Sequence, residues 1–413
     1  NGALQVLRGA VLHREREVGH VKEIGVGVIA LGWMGRLHSR GFAQVAERYP
    51  ELGVKARLVV AADPVPANQQ AALALGFERA VADYHEVLDD PEVEVVSICA
   101  PNFLHHEIAM AAIAAGKPFW IEKPMGVNAA QSREIAEGAA AAGLATATGF
   151  NYRQQPPIAH ARDLVLSGTL GRITNARVWL IADYASSPDG PFTWRYTRTQ
   201  AGAGVVGDLL SHGIDLAQYV LGTRVTEVTA MTDTFVKTRP IPLGVGVGHA
   251  AVAVSDERRE VENEDYVAAL ARTESGALVT LESSRVAMGP RAEYVVEVYG
   301  TGGSVRWSFE HPQHLQVLIV GQGSHRGYTS VMSDAGHGDF ARFQPGPGQT
   351  MSFDDSKVIE AKLFLESVVT GKQVAPSAGD AWAAAEADEA IVASAADGTW
   401  HAVPAVSGTT FQA

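Results

Sequence analysis

Asp208 and His212 stand four residues apart in the run Gly204-Val205-Val206-Gly207-Asp208-Leu209-Leu210-Ser211-His212-Gly213-Ile214-Asp215. On a helix that spacing places both on one face, with Leu209, Leu216 and Tyr219 anchoring another. A histidine with a nearby carboxylate can act as a general base whose pKa its neighbours tune. The same residues read equally well as a helix cap at Asp208 and a packed core histidine at His212. A third reactive group is Lys123 in Ile121-Glu122-Lys123-Pro124. A lysine at a crevice can hydrogen-bond a substrate hydroxyl and stabilise a developing alkoxide. A Glu-Lys pair is more often solvated on a surface, but this one follows an apolar run and is backed by a rigid proline.

Such groups need something to react with, and the first hundred residues contain a cradle for it. Ala30-Leu31-Gly32-Trp33-Met34-Gly35 follows a strand pattern and opens a helix. Gly32 lets the backbone approach a pyrophosphate, Gly35 permits close helix–strand packing, and the helix N-terminus supplies N–H donors. The fingerprint ordinarily begins with glycine, and here that position is Ala30; alone, the motif is also an ordinary strand–helix connection. The next strand ends in Ala61-Ala62-Asp63, where an acid can accept from ribose hydroxyls and repel a 2′-phosphate, favouring NAD over NADP. Asp63-Pro64 is equally a turn signal. Ala100-Pro101-Asn102 falls at another strand end, followed by His105 and His106, whose bland reading is a helix opening at the surface.

The elements that must position these groups follow from periodicity. Short β-branched runs at 24–30, 56–62, 93–100, 118–122 and 144–149 alternate with helical patterns at 35–49, 66–75, 104–115 and 129–142. That alternation predicts a parallel sheet with helices on both faces, and its strands are nearly all apolar, as double burial requires. Beyond Asn151 the pattern changes. A helix at 158–167 leads into strands at 173–181, 226–232, 266–272, 278–285, 294–299 and 304–308, a large and mostly antiparallel open sheet. Helices are expected at 207–220, 356–370 and 380–396, and a long loop at 321–352. The fold class is thus α/β plus α+β: a tail over 1–20, a dinucleotide-binding Rossmann domain over 21–150, and a substrate-binding and oligomerisation domain over 151–413.

Composition narrows the function classes. The chain has 413 residues and a formal charge of -13, with 46% hydrophobic and 19% charged residues. Two cores are affordable at that length, disorder is disfavoured, and a polyphosphate backbone would be repelled, so no nucleic-acid partner is expected. No apolar stretch is long enough to span a bilayer, and residues 1–20 lack the apolar core of a secretory signal. The single cysteine, Cys99, reads as a buried small hydrophobe, and cysteine usage fits a cytoplasmic setting.

Together, Ala30–Gly35, Ala100-Pro101-Asn102, Glu122-Lys123-Pro124 and Gly207-Asp208-x-x-x-His212-x-x-Asp215 resemble the glucose–fructose oxidoreductase/inositol dehydrogenase (Gfo/Idh/MocA) family. The similarity runs from about Lys22 to about Val403, and Trp194-Arg195, Glu282-Ser283-Ser284-Arg285 and Val298-Tyr299-Gly300-Thr301-Gly302-Gly303 look like its sugar and cyclitol dehydrogenases. The resemblance implies an active site between two domains, with Lys123, Asp208 and His212 as catalytic groups and Asp208 orienting His212 or a substrate hydroxyl. It implies NAD held by Ala30, Gly32, Trp33, Met34, Gly35, Asp63, Ala100, Pro101, Asn102, His105, Glu122, Lys123, Asn151, Trp194 and Arg195. A sugar, cyclitol or related polyol would meet Lys123, Arg153, Tyr184, Arg195, Asp208, His212 and Arg285, with 183–203 and 321–352 shaping the pocket. No metal is expected, and a homodimer or homotetramer would form through the second sheet. Two alternatives stay open: an NAD-dependent glycoside hydrolase working by transient oxidation, elimination and water addition, and a dinucleotide-binding sensor without turnover.

Overall fold

The structure is a computed structural model that describes residues 21–244, 252–321 and 327–412; the expected tail over 1–20 lies outside them. The first sheet is built from β1 (Lys22–Ile29), β2 (Val54–Ala62), β3 (Arg79–Val81), β4 (Val95–Ile98), β5 (Phe119–Ile121) and β6 (Thr146–Thr148). All neighbours are parallel, in the order β3-β2-β1-β4-β5-β6. From Ile24 onward β1 is buried throughout, because α1 (Trp33–Arg48), α2 (Pro66–Ala74), α3 (His85–Leu88), α4 (Asn102–Ala114) and α5 (Ala129–Ala141) cover the two faces. The strand order reverses between β1 and β4, which opens a crevice at their carboxyl ends. The short pieces β3 and α3 carry too few apolar residues for periodicity to reveal them.

After α6 (Pro156–Leu166) the chain builds a nine-stranded sheet from β7 (Ile173–Ala182), β8 (Val225–Asp233), β11 (Tyr266–Thr273), β12 (Leu278–Ser284), β13 (Ala292–Gly300), β14 (Gly303–Ser308), β15 (His314–Ile319), β16 (Thr329–Met332) and β17 (His401–Ala402). Its order is β16-β15-β14-β13-β7-β12-β11-β8-β17, antiparallel at every step except the parallel pair β12–β7. A separate ribbon pairs β9 (Thr238–Pro242) with β10 (Val254–Glu260). The expected loop 321–352 holds β16 and the short α9 (Phe340–Phe343); polar strands at a sheet edge do not alternate clearly enough to be read from sequence. A four-residue helix, α7 (Arg198–Ala201), precedes a π-helical turn over Val206–Leu210, which runs into α8 (Ser211–Leu221). The expected α-helix at 207–220 therefore starts in a wider coil, a feature common where side chains are re-aimed at a site.

The last two helices tie the sheets together. α10 (Phe353–Thr370) and α11 (Ala378–Asp397) each open with a reciprocal capping box, Ser352 with Asp355 and Ser377 with Asp380. Each ends at a left-handed glycine, Gly371 or Gly398. α11 packs against α5, α8 and β8. α10 does not stay with the second sheet: it returns to pack on α1 and completes the layer over β1. One continuous apolar core accordingly includes Ile98, Phe119 and Ile121 of the first sheet with Val178, Leu180 and Ile214 of the second half.

The return of α10 inserts a charged cluster under the end of β5. Lys357 Nζ donates to Glu122 Oε1 at 2.7 Å and lies 2.9 Å from Glu360 Oε2. His38 Nε2 lies 2.8 Å from the same Glu122 oxygen, its Nδ1 lies 2.8 Å from Ser97 Oγ, and its ring stacks on Trp120. His38, Lys357 and Glu360 are fully buried. Burial pushes the His38 imidazole down to about 4 despite Glu122, and pushes the Glu360 carboxyl up to about 8 despite Lys357. Burial alone would raise Glu122 too, but Lys357 and His38 hold it below the usual carboxylate range.

Two outcomes follow. In the unfolded chain Glu360 titrates near 4.5, whereas folding lifts it to about 8, so its contribution to stability declines as pH rises across that window. Glu360→Gln removes the titration; its melting temperature relative to wild type should climb between pH 5 and pH 8, and a pH-independent difference contradicts the assignment. Separately, a Cβ on Gly35 would sit 2.0 Å from the Ala30 carbonyl oxygen. Gly35→Ala should destabilise the protein by about 1–3 kcal/mol in denaturant titration, with weaker dinucleotide binding.

Candidate active site between the two sheets

A cavity of about 1230 Å³ lies over the carboxyl ends of β1, β2, β4 and β5 and is closed on the far side by the second half of the chain. That exceeds a usual single-ligand pocket and suits a dinucleotide plus a small substrate. On the first-sheet side, α1 begins at Gly32 with no side-chain cap and no acid in its first turn, leaving its amide donors to the cavity. A Cβ on Gly32 would meet no protein atom within 4 Å, so no protein neighbour demands that glycine; space for a ligand backbone does. Ala30 has φ 70°, the left-handed region that favours glycine, so the departure from the fingerprint keeps the turn at some strain. Asp63 is buried at the cavity wall and accepts from Leu31 N at 2.8 Å, Val65 N at 2.9 Å and Asn68 Nδ2 at 3.1 Å. It thus caps the turn and also pins the glycine loop to β2. Asn151 borders the same cavity with its amide nitrogen buried and unpartnered. These features fit a bound dinucleotide.

The opposite wall brings the expected reactive groups together. Lys123 Nζ donates to the Asp208 carbonyl oxygen at 2.6 Å and to Asp208 Oδ1 at 3.2 Å. Tyr184 donates its hydroxyl to Asp208 Oδ2 at 2.5 Å. Burial would raise the Asp208 carboxyl, but the charges of Lys123 and Arg195 hold it below the usual range. His212 is buried, with Tyr152 edge-on at 5.0 Å and Phe150 edge-on at 6.0 Å. Neither of its ring nitrogens has a protein hydrogen-bond partner among the described residues. Burial first, then the Lys123 charge, lowers its pKa well below the ordinary imidazole value, so it is neutral at pH 7. Trp194, with Arg195 lying 4.4 Å over its ring, contacts Phe103 at the head of α4 and closes this end. Asn102 Nδ2 donates across the gap to the Ala201 carbonyl.

Several expected placements are corrected. The Asp208 carboxylate accepts from Lys123 and Tyr184, and no hydrogen bond joins it to His212 among the described residues. Arg153 does not reach the cavity: it is buried in an ion cluster with Asp215 and Asp380, its Nε donating to Asp215 at 2.9 Å. Arg285 borders the cavity, but its guanidinium is given to Asp265 at 2.8 Å and Asn263 at 2.9 Å. His105 borders the cavity, but its ring is buried with nitrogens 2.9 and 2.7 Å from the Pro124 and Ala100 carbonyl oxygens, so it also braces two strand ends. His106 lies outside, 2.7 Å from Glu134. Glu122 borders the cavity while its Oε1 serves the buried cluster. Cys99 is only partly buried and also borders the cavity, its thiol pushed up by burial.

Other lining residues were not foreseen. Tyr152, Leu180, Arg291 and Phe353 face the cavity, while no described residue of 321–352 does. Tyr152 neighbours the expected Asn151 and Arg153, and an aromatic there carried a weak signal. Phe353 carried none, because only the return of α10 brings it near.

Comparison with known proteins places this geometry. A profile for an oxidoreductase family with an NAD-binding Rossmann fold matches residues 24–150, and one for the GFO/IDH/MocA C-terminal domain matches 158–306. The chain is 32% identical over 390 residues to levoglucosan dehydrogenase of Pseudarthrobacter phenanthrenivorans, across 94% of this chain and 100% of that one. It is 25% identical over 357 residues to myo-inositol 2-dehydrogenase of Thermotoga maritima, across 86% and 91% of the two. A solved structure of levoglucosan dehydrogenase in complex with NADH and levoglucosan aligns with TM-score 0.87 and 30% identity, over 93% of this chain and 100% of that one. Both halves of the chain are matched, and the chain belongs to the Gfo/Idh/MocA family of NAD-binding oxidoreductases.

Proposed function

We propose that this enzyme oxidises a secondary hydroxyl of a sugar, cyclitol or related polyol, with His212 as general base and Lys123 stabilising charge on the reacting oxygen. The observation that carries the reading is the pairing of an anchored ammonium with an unpartnered neutral imidazole at a dinucleotide crevice. Asp208 takes two of the three N–H directions of Lys123, which leaves one for a substrate oxygen. NAD, when bound, supplies the acceptor for the hydride. His212 takes the hydroxyl proton at a ring nitrogen, and burial keeps that nitrogen free of a competing proton. Lys123 donates to the same oxygen and offsets negative charge as the carbonyl forms. Asp208 fixes the lysine, and Tyr184 fixes Asp208. Relatives named for levoglucosan and inositol oxidation support hydroxylated-ring substrates. Asp63 at the end of β2 supports NAD over NADP.

We also propose that copies associate through the second sheet. Met231, Leu270 and Leu278 share its outer face by register, and each is at least half exposed.

His212→Ala should lower kcat for polyol-dependent NAD reduction by about 10²–10⁴-fold, with NAD affinity by fluorescence titration held within about twofold. Turnover within a few-fold of wild type rejects the base assignment. Because the His212 pKa is depressed, the proton-accepting form persists on acidification, so the acid limb of kcat/KM should fall below pH 6.5, the ordinary imidazole value; a limb at or above that value contradicts the burial argument. Leu270→Lys should reduce the assembly mass measured by light scattering, and an unchanged mass rules this face out.

A further inference from the structure

The cavity has an aromatic side that the proposed chemistry does not use. Trp33, at the head of α1, is 60% exposed although it borders the cavity. Its ring lies nearly parallel to that of Phe353, with centroids 5.7 Å apart and 19° between planes. Phe353 meets Tyr152 edge-on at 6.4 Å, and Tyr152 meets His212 edge-on at 5.0 Å. All four rings border the cavity. Phe353 is thus one ring removed from the proposed base and Trp33 is two removed, on a path that leads out to solvent.

We infer that Trp33 and Phe353 form a second subsite, which stacks against the ring carried by the reacting sugar, so that the preferred substrate is a glycoside with a cyclic substituent. The inference rests on the proposed sugar-oxidising reading and deepens it. The two rings already stack on each other before any ligand arrives. Phe353 follows the Ser352 capping box, and the next residue, Asp354, is paired with Arg40 of α1 at 2.8 Å. The start of α10 is therefore tied to the middle of α1, which limits how much the Phe353 backbone must order on binding. A free monosaccharide at Lys123 and His212 would leave this platform wet. A glycosyl or aryl substituent would cover it, removing apolar area from water and gaining ring-to-ring packing. The platform offers no charged donor, so it suits a neutral apolar face and does not suit a phosphate or carboxylate.

The test is calorimetric titration of the NADH-loaded protein with phenyl and methyl D-glucopyranosides of both anomers. The phenyl compound of at least one anomer should bind roughly three- to tenfold more tightly than its methyl counterpart. That ratio should fall to about one in Trp33→Ala and in Phe353→Ala, and recover in Trp33→Phe, whatever happens to the absolute constants. Equal binding of the two compounds, a ratio that survives both alanine variants, or no glycoside binding at all overturns the subsite. Variants that weaken NAD binding while leaving the ratio intact assign Trp33 to the cofactor and overturn it as well. NAD reduction on levoglucosan and myo-inositol, run in parallel, separates the two claims. Turnover there without a phenyl preference removes the subsite alone, whereas a phenyl preference with no oxidation of any sugar, polyol or glycoside removes the oxidation reading.

Discussion

Lys123 leaves β5 and places its ammonium against both the carbonyl and the carboxylate of Asp208, a residue in a different half of the chain. That one contact joins the Rossmann crevice to the helix that carries His212. Without it the half-buried Asp208 would lack its main opposing charge, and its carboxyl would drift upward with desolvation. Lys123 would also keep its rotamer freedom, which a four-carbon stem has in abundance. The proposed reaction needs the ammonium and the imidazole at one oxygen, and neither half of the chain supplies both.

Much of the surrounding structure serves that placement. The π-helical turn over Val206–Leu210 turns the Asp208 backbone carbonyl, as well as its side chain, toward the lysine. Tyr184 secures the second carboxylate oxygen, and Arg285, locked on Asp265 and Asn263, stands behind Tyr184. On the other side, Glu122 is adjacent to Lys123 in sequence and is gripped from beneath by Lys357 and His38. A buried ion pair of this kind is weak evidence for stability in itself, because desolvation offsets much of the attraction. Its effect here is geometric: it gives the strand end before Lys123 a single arrangement.

The sequence was legible where chemistry depends on local order. Gly32 and Gly35 follow a strand and open a helix, an order that suits a phosphate cradle once the neighbouring motifs accompany it. Lys123, Asp208 and His212 stood out as candidates because each sits in a short motif, and the structure gathers all three at one cavity. The parallel and antiparallel sheets were legible from the change of pattern after Asn151. Charged residues within motif distance were harder: Arg153 looked like a ligand contact, but it is claimed by Asp215 and Asp380 away from the cavity. A sequence shows that a polar side chain exists, not which buried partner has claimed it.

What the sequence by itself determined was the type of the longer elements and the candidates for the reactive groups, since both are set by residue type and by periods of two or a few residues. Only the tertiary structure decided which groups face each other. It assigned Asp208 to Lys123 and left His212 free. It returned α10 to the first sheet, bringing Lys357 under Glu122 and Phe353 beside Trp33 across more than two hundred residues of chain. Those pairings are fixed by how helices close over two sheets to bury one shared core, and no local spacing encodes them.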